Sequence, residues 1–193
     1  MTTRGAWRWL VFLAIAAPWT GAACIGVPLT VQAATLRPPD VRYEPSEPEA
    51  VRVMLDLAAL QPGERVYDLG CGDGRIVIAA VQRYAVHGVC VDIDPKRIAE
   101  ARDNARRAGV EDRILFLNQD LYETDIGEAD VVALFLYPDL NLKLRPKLQR
   151  ELKPGARVVS HWHDMGDWKP QRTVHLRSEG RGRNIYLWTL PAK

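Results

Sequence analysis

The chain has 193 residues, of which 47% are hydrophobic and 26% charged, a balance typical of one globular domain with a sizeable core. Arg4 and Arg8 are the only charges before Arg37, and without them the chain carries 24 basic and 24 acidic residues. This neutrality argues against a general nucleic-acid-binding protein, which usually has a clear basic excess. We therefore expect no nucleic-acid partner, and the oligomeric state stays open.

Residues 1–34 form the first predicted segment, a hydrophobic leader. Arg4 and Arg8 precede an uncharged apolar stretch, and no acidic residue appears before Asp40. The pattern suits an uncleaved membrane anchor, a signal peptide cleaved near the small residues at 31–34, or an organellar presequence. Because the positive flank of such a leader tends to stay cytosolic, we expect a membrane-anchored or exported protein with its domain on the periplasmic side.

Residues 35–45, which contain three prolines, are predicted to be a linker, and residues 46–193 to form the folded domain. The segment 46–49, Ser-Glu-Pro-Glu, has the pattern of a capping box, so a first helix is expected over 47–60. Strands and helices then alternate, and apolar runs of this kind are typical of strands buried on both faces of a parallel sheet. The predicted strands cover residues 66–69, 86–93, 114–117, 130–136 and 157–161, and the predicted helices cover residues 76–84, 94–108 and 140–152, the last interrupted at Pro146.

Two final strands, 173–177 and 184–190, are predicted to pair as a hairpin. The whole pattern predicts an α/β fold with a doubly wound, mainly parallel seven-stranded sheet and a C-terminal antiparallel hairpin. Ligands of open parallel sheets bind outside the carboxyl ends of the strands. The turn after the first strand is therefore the expected binding site.

That turn lies in the stretch VYDLGCGDG, residues 66–74, and three phosphate-bearing or adenosine-bearing ligands compete for it. A Walker loop requires a lysine that is missing here, and Arg75 stands where a dinucleotide turn requires its third glycine. Asp68 would repel a pyrophosphate, but it suits S-adenosylmethionine, whose α-ammonium and sulfonium are positive. Asp92 ends the second strand about 20 residues later, where a carboxylate can accept hydrogen bonds from ribose hydroxyls.

With these motifs the sequence resembles the class I, seven-β-strand S-adenosylmethionine-dependent methyltransferases, which have a Rossmann-like fold. The resemblance covers residues 43–190 and includes VYDLGCGDG, GVCVDIDP and LNQDLYE in the family's order and spacing. The stretches YEPSEPEAV, LYPDLNLKLRPKL and VVSHWHDMGDWKP further resemble a branch that includes membrane-tethered mitochondrial protein-lysine methyltransferases. The resemblance implies S-adenosyl-L-methionine as cofactor and a methyltransferase domain over 46–193.

The resemblance also implies roles for individual residues. Asp68 would orient the methionine ammonium, Asp92 would hold the ribose and Asp120 would meet the adenine amine. As alternatives, Asp68 could act only as a turn-forming residue at the end of its strand, and Gly74 could be required only for close helix packing. Asp94 is expected to be the N-cap of a helix. The complete predicted cofactor site comprises Asp68, Gly70, Cys71, Gly72, Gly74, Asp92, Ile93, Asp120 and Leu121.

The methyl acceptor is expected at the ends of the fourth and fifth strands. Tyr137, Asp139 and His161 are the candidate catalytic residues, with strand termination or packing as the alternative roles. The segment 137–139 is not the Asn/Asp-Pro-Pro-Tyr motif of amide and base methyltransferases, which disfavours those acceptors. His161 and His163 share a strand face, but no third ligand accompanies them, so no metal site is expected.

Three further patterns concern two tryptophans, a basic stretch and two cysteines. Trp162 and Trp168 could line a channel for a lysine, because aromatic faces hold ammonium groups, or they could belong to the core. The basic residues between positions 143 and 157 suit a solvated helix face or a surface for an acidic partner. Cys71 and Cys90 match neither a disulfide framework nor a metal-site spacing, so both are expected to be free.

The leading functional hypothesis is methyl transfer from S-adenosylmethionine to the ε-amine of a protein lysine, which makes a protein substrate the expected partner. One alternative is a small-molecule or lipid methyltransferase that associates with a membrane through its N-terminal segment. The other is an exported domain that keeps the fold and binds a ligand without catalysis. The number of methyl groups transferred is not predicted.

Overall fold

The structure is a computed structural model that describes residues 36–178 and 181–191, so the predicted leader lies outside the described residues. The helices are α1 (Pro48–Ala58), α2 (Arg75–Arg83), α3 (Pro95–Arg107) and α4 (Pro138–Glu151), and a short 3-10 helix covers Glu111–Arg113. The strands are β1 (Arg65–Leu69), β2 (His87–Asp92), β3 (Ile114–Asn118), β4 (Val131–Leu134), β5 (Arg157–His161), β6 (Arg172–Ser178) and β7 (Arg181–Thr189).

The described residues form one seven-stranded sheet in the order β3-β2-β1-β4-β5-β7-β6. Strands β1 to β5 pair in parallel, whereas β7 is antiparallel to both β5 and β6. The predicted fold class is therefore confirmed, including the C-terminal hairpin. Strand order reverses between β1 and β4, which is the point where sheets of this type bind their ligands.

Apolar side chains cover both faces of the sheet, as the continuous apolar strands predict. On one face, α1, α2 and α3 contribute Leu55, Val81 and Ala105 to a single buried cluster. On the other face, α4 contributes Leu144 and Leu148 to a second buried cluster. Because both faces are covered, the carboxyl ends of the parallel strands are the part of the sheet left for a ligand.

Helix α4 continues through Pro146, where the sequence predicted an interruption. A proline inside a helix removes one backbone hydrogen bond and costs about 3 kcal/mol. Leu144 and Leu148 flank it and are fully buried, and burying a leucine side chain contributes about 1.5–3 kcal/mol. Packing on the sheet therefore offsets the loss at Pro146.

The two helix starts predicted from sequence had different outcomes. Asp94 caps α3 as predicted, since its side chain accepts a hydrogen bond from the Lys96 amide. The predicted capping box of α1 is wrong, because α1 begins at Pro48 after Glu47, which makes no side-chain cap bond. Ser46 instead shares a buried hydrogen bond of 3.0 Å with His161.

Candidate active site

The glycine turn begins directly after β1 and leads into α2. Gly70 and Gly72 have φ values of +81° and +54°, in the left-handed region that a side chain disfavours. The backbone amides of Gly70 and Cys71 both donate to the carbonyl of Val91, at 2.8 and 3.0 Å. The turn is thereby fixed against the end of β2.

Gly74 has a different local reason to be glycine. A Cβ atom at this position would lie 3.0 Å from the Cβ of Ala101 in α3, which is closer than side chains normally pack. The structure therefore supports the helix-packing alternative for Gly74. Gly72 is covered by Tyr43, whose ring occupies the space that a Cβ at Gly72 would need.

Cys71 and Cys90 form a disulfide bond, with 5.4 Å between their Cα atoms. The prediction that both cysteines are free is therefore wrong. Spacing along the chain gave no sign of the bond because Cys71 and Cys90 are brought together by the parallel pairing of β1 and β2. The bond joins the glycine turn covalently to the strand that ends at Asp92.

Asp92 holds the glycine turn and the start of α3 in place. One carboxylate oxygen accepts from the Gly72 amide at 2.9 Å, and the other accepts from the Asp94 amide at 2.9 Å. Burial raises the pKa of Asp92, and the two backbone amides oppose this shift. Each carboxylate oxygen has a second acceptor position, so Asp92 can hold the turn and still receive ribose hydroxyls.

Asp68 lies beneath the turn, fully buried at the end of β1. Its Oδ2 atom has no hydrogen-bond partner among the described residues. Burial raises the pKa of Asp68 to about 8, with a further contribution from the negative charges of Asp92 and Asp73. A buried carboxylate with an unused oxygen is suited to a cationic ligand, which would supply the missing partner.

Asp120 follows β3 and forms an ion pair with Arg37, whose Nε donates to Oδ2 at 2.6 Å. Its other oxygen accepts from the Tyr122 amide at 3.0 Å. Burial alone would raise the pKa of Asp120, but the hydrogen bonds from Arg37 and Tyr122 outweigh it and lower the pKa. Sequence reasoning missed Arg37, because an isolated arginine in a proline-containing segment gives no pattern.

These residues surround a cavity of about 260 Å³ at the carboxyl ends of all five parallel strands. Residues of the segment 37–44 form one of its walls. The predicted site residues that line the cavity are Gly70, Asp92, Ile93, Asp120, Leu121 and Tyr137. Asp68, Cys71, Gly72, Gly74, Asp139 and His161 do not line it, although the first four belong to the turn or lie directly beneath it.

The end of the cavity where the methyl acceptor is expected, here called the acceptor end, is formed by residues that follow β4 and β5. Phe135, Tyr137, Trp162 and His163 line it, together with Glu44. Burial lowers the pKa of His163, although the nearby carboxylates of Glu44 and Asp164 oppose the shift. His163 is therefore neutral near pH 7 and can accept a hydrogen bond or a proton.

His161, the histidine selected from sequence, is fully buried behind Phe135, with 4.2 Å between the ring centroids. Its Nδ1 bonds to Ser46, and its Nε2 has no hydrogen-bond partner among the described residues. Burial lowers the pKa of His161 to about 4, with a smaller contribution from the charge of Arg183. His161, at the end of β5, and His163, two positions later, therefore do not share a site. His163 lines the cavity, whereas His161 is buried in the core.

Trp168 does not accompany Trp162 in the cavity. Its carbonyl accepts from the indole of Trp188 at 2.8 Å, and the two rings pack at 5.6 Å. Trp168 therefore packs against the core, whereas Trp162 lines the cavity. Asp139 lies in the exposed first turn of α4.

Five of the six basic residues between 143 and 157 pair with carboxylates of the same chain, and the sixth, Lys143, lies over the ring of Tyr122. Arg145 pairs with Asp167, and Arg157 pairs with Glu64. Lys147 and Arg150 pair with Glu151, and Lys153 pairs with Asp130. These ion pairs favour the solvated-face interpretation over a surface for an acidic partner.

Comparison with known proteins gives consistent findings. The model of a family described as the ANTKMT methyltransferase domain matches residues 68–172. The chain is 40% identical over 153 residues to a protein-lysine N-methyltransferase of Saccharolobus islandicus strain REY15A, a match that covers 79% of this chain and 95% of the relative. It is 36% identical over 134 residues to the adenine nucleotide translocase lysine N-methyltransferase of Mus musculus, covering 69% of this chain and 58% of the relative.

Among solved structures, an RNA methyltransferase from Salinibacter ruber in complex with S-adenosyl-L-homocysteine has a TM-score of 0.73. It is 47% identical, and the match covers 78% of this chain and 95% of that chain. S-adenosyl-L-homocysteine is the product that S-adenosylmethionine leaves after methyl transfer. The cofactor predicted from the glycine turn is therefore supported by a relative in which the product is bound.

The predicted location, membrane-anchored or exported, is wrong. The relative from Saccharolobus islandicus, matched over 95% of its own length, lends it no support. Across residues 36–178 and 181–191, none of the helices has the length and apolar character needed to cross a bilayer. The prediction was made from residues 1–34, which lie outside the described part of the chain.

Proposed function

Because the chain belongs to the ANTKMT methyltransferase domain family, we propose that it methylates the ε-amine of lysine in a protein. The chain is an S-adenosylmethionine-dependent methyltransferase with the class I fold. The observation that carries the lysine assignment is the match over 95% of a protein-lysine N-methyltransferase. The acceptor end of the cavity supports it, because aromatic faces and Glu44 suit an approaching ammonium group.

The residues at the cofactor end fit S-adenosylmethionine, which supplies the methyl group and the sulfur leaving group. The buried Oδ2 of Asp68, which has no hydrogen-bond partner among the described residues, would accept a hydrogen bond from the α-ammonium group. Asp92 would accept the ribose hydroxyls while it keeps the turn in place. Asp120 would meet the adenine amine beside its ion pair with Arg37.

At the acceptor end, the lysine must lose a proton before its nitrogen can attack. His163 is half-buried and lines the cavity, and burial lowers its pKa, so its imidazole is neutral. It can take the proton of the ammonium group once burial in the cavity has lowered the pKa of the lysine as well. The rings of Tyr137 and Trp162 exclude water from one side and orient the amine. His163 thus replaces His161 in the proposed proton-accepting role, and Tyr137 keeps its place as a candidate.

Incubation of the purified protein with methyl-labelled cofactor and a cell extract tests this proposal. Protein, RNA and lipid fractions are separated afterwards, and labelled lysine is sought by mass spectrometry of the protein fraction. We expect label on lysine with the wild-type protein and none with the Asp92→Ala variant. Label that enters only lipid or small molecules would contradict a lysine acceptor.

RNA is the second candidate acceptor, and the relative from Salinibacter ruber, described as an RNA methyltransferase, is the observation that favours it. The charge balance opposes it, since the chain without Arg4 and Arg8 is neutral and RNA-binding surfaces are usually basic. In the same experiment, label in nuclease-sensitive material and none in protein would favour RNA over lysine.

A further inference from the structure

Three rings at the acceptor end of the cavity lie nearly parallel and form an aromatic column, consisting of Tyr137, His163 and Trp162. The ring centroids of Tyr137 and His163 are 6.1 Å apart with an interplanar angle of 17°. Those of His163 and Trp162 are 5.1 Å apart with an angle of 15°. All three side chains line the cavity, so the column is one continuous wall of the acceptor end.

The guanidinium group of Arg183 closes the inner end of the aromatic column. It lies over the Trp162 ring at 4.5 Å from the centroid and forms an ion pair of 3.1 Å with Glu47. Only 11% of the Arg183 side chain is exposed, so this contact is shielded from water and from screening by salt. Arg183 itself does not line the cavity.

The backbone that carries the column is held in an uncommon conformation. Trp162 has a φ of +70°, which costs about 1–3 kcal/mol for a residue other than glycine and persists only where the surroundings fix it. The Trp162 amide donates to the carbonyl of Asn184 at 2.6 Å. The carbonyl of His163 accepts from Ser160 Oγ at 2.7 Å and from Asn141 Nδ2 at 3.2 Å.

From this arrangement we propose that the aromatic column is the subsite for the acceptor's ammonium group, and that Arg183 is a positioning residue that holds Trp162 in it. The inference rests on the proposed lysine methylation. Tyr137 ends the column toward solvent and is 45% exposed, so its outer face is free to meet an incoming cation. Glu44 also lines the cavity and contributes a negative charge near His163.

Arg183 would act only through Trp162, which gives the proposal a sharp test. The Arg183→Met variant keeps an unbranched apolar side chain but removes the charge and the planar guanidinium group. With poly-L-lysine as acceptor, we expect the KM for the acceptor to rise about tenfold. The affinity for S-adenosylmethionine in calorimetry should stay within about twofold of wild type, because the cofactor residues lie on other strands.

The matched control is Arg172→Met, which removes an exposed arginine from the neighbouring strand β6 and should leave the KM unchanged. A double variant tests whether Arg183 acts through Trp162. In a Trp162→Leu background, Arg183→Met should cause little further loss, because the ring through which it acts is gone. Additive losses, or an unchanged acceptor KM in the single variant, would overturn the positioning role.

Two variants of Tyr137 distinguish binding by its aromatic face from binding by its hydroxyl group. Tyr137→Phe should keep the acceptor KM near that of wild type, whereas Tyr137→Leu should raise it. Equal losses in both variants would contradict binding by the aromatic face. A wild-type protein that labels neither poly-L-lysine nor extract protein would instead refute the proposed function, so the two failures are distinct.

Discussion

Removing the Cys71–Cys90 disulfide should destabilise the domain by about 3 kcal/mol, because the bond restricts the unfolded chain. The two cysteines are separated by 19 positions, and the loop-entropy relation gives about 3 kcal/mol for a closed loop of this size. For a chain of 193 residues, each kcal/mol shifts the melting temperature by about 2–4 °C. The expected fall in Tm is therefore about 6–12 °C.

Circular dichroism melting of three samples measures this effect. They are the oxidised wild type, the wild type refolded after reduction and kept in reductant, and the Cys71→Ala/Cys90→Ala variant. Both samples without the bond should melt lower than the oxidised protein, and reductant should not change the variant. Thiol titration in denaturant should find two more thiols in the wild type after reduction than before it, because the bond joins two cysteines.

The comparison of reduced wild type with the double variant separates the cross-link from packing. Cys90 is fully buried and Cys71 nearly so, so the alanine variant also loses some apolar contact and should be the less stable of the two. If the oxidised and reduced wild-type proteins melted at the same temperature while the titration confirmed the bond, the unfolded-chain reasoning would be refuted.

Three other expectations concern the cofactor end. Because burial raises the pKa of Asp68 to about 8 from its ordinary value of 3.8, the folded protein holds this proton more tightly than the unfolded chain. The resulting stability is complete below about pH 4 and is lost as the pH rises through 8, so Asp68→Asn should flatten the fall in unfolding free energy between pH 5 and pH 8 in urea titrations. Gly72→Ala should lower the free energy of unfolding by about 1–2 kcal/mol because of its left-handed backbone, and it should also weaken cofactor binding by displacing Tyr43. Gly109→Ala is the control, since Gly109 has a φ of +69° and an added Cβ would meet nothing within 4 Å. It should show the loss of stability alone. Asp92→Ala should abolish calorimetric binding of S-adenosylmethionine, since the turn loses its support as well as its ribose partner, and unchanged affinity would contradict the site.

The sheet could be predicted from sequence because its determinants are local. Apolar runs, the glycine turn and the Asp94 cap each lie within a few neighbouring residues. The helix through Pro146 could not be predicted, because the burial of Leu144 and Leu148 that supports it is a tertiary effect. Local helix propensity shows the destabilising effect of Pro146 but not the stabilising burial of the two leucines.

The candidate site was predictable where a motif sets it and not where the fold assembles it. Asp92 lies at a position that the motif order marks, and it lines the cavity. Arg37 reaches the cavity through an ion pair with Asp120, which no sequence pattern marks. The two histidines at 161 and 163 are visible in the sequence, but the left-handed backbone at Trp162 that separates them is not. His163 lines the cavity, whereas His161 is buried and bonded to Ser46.

The hydrogen bonds that Asp92 accepts from two backbone amides have a consequence for cofactor binding. These two hydrogen bonds hold the glycine turn through contacts within the protein, so the turn is preorganised and little conformational entropy is lost when a cofactor binds. The segment 37–44, held at Arg37 by its ion pair with Asp120 and packed on Gly72 through Tyr43, forms one wall of the same cavity. Exchange of spent cofactor for fresh should therefore follow the rate at which this segment lifts, and not any remodelling of the turn beneath it.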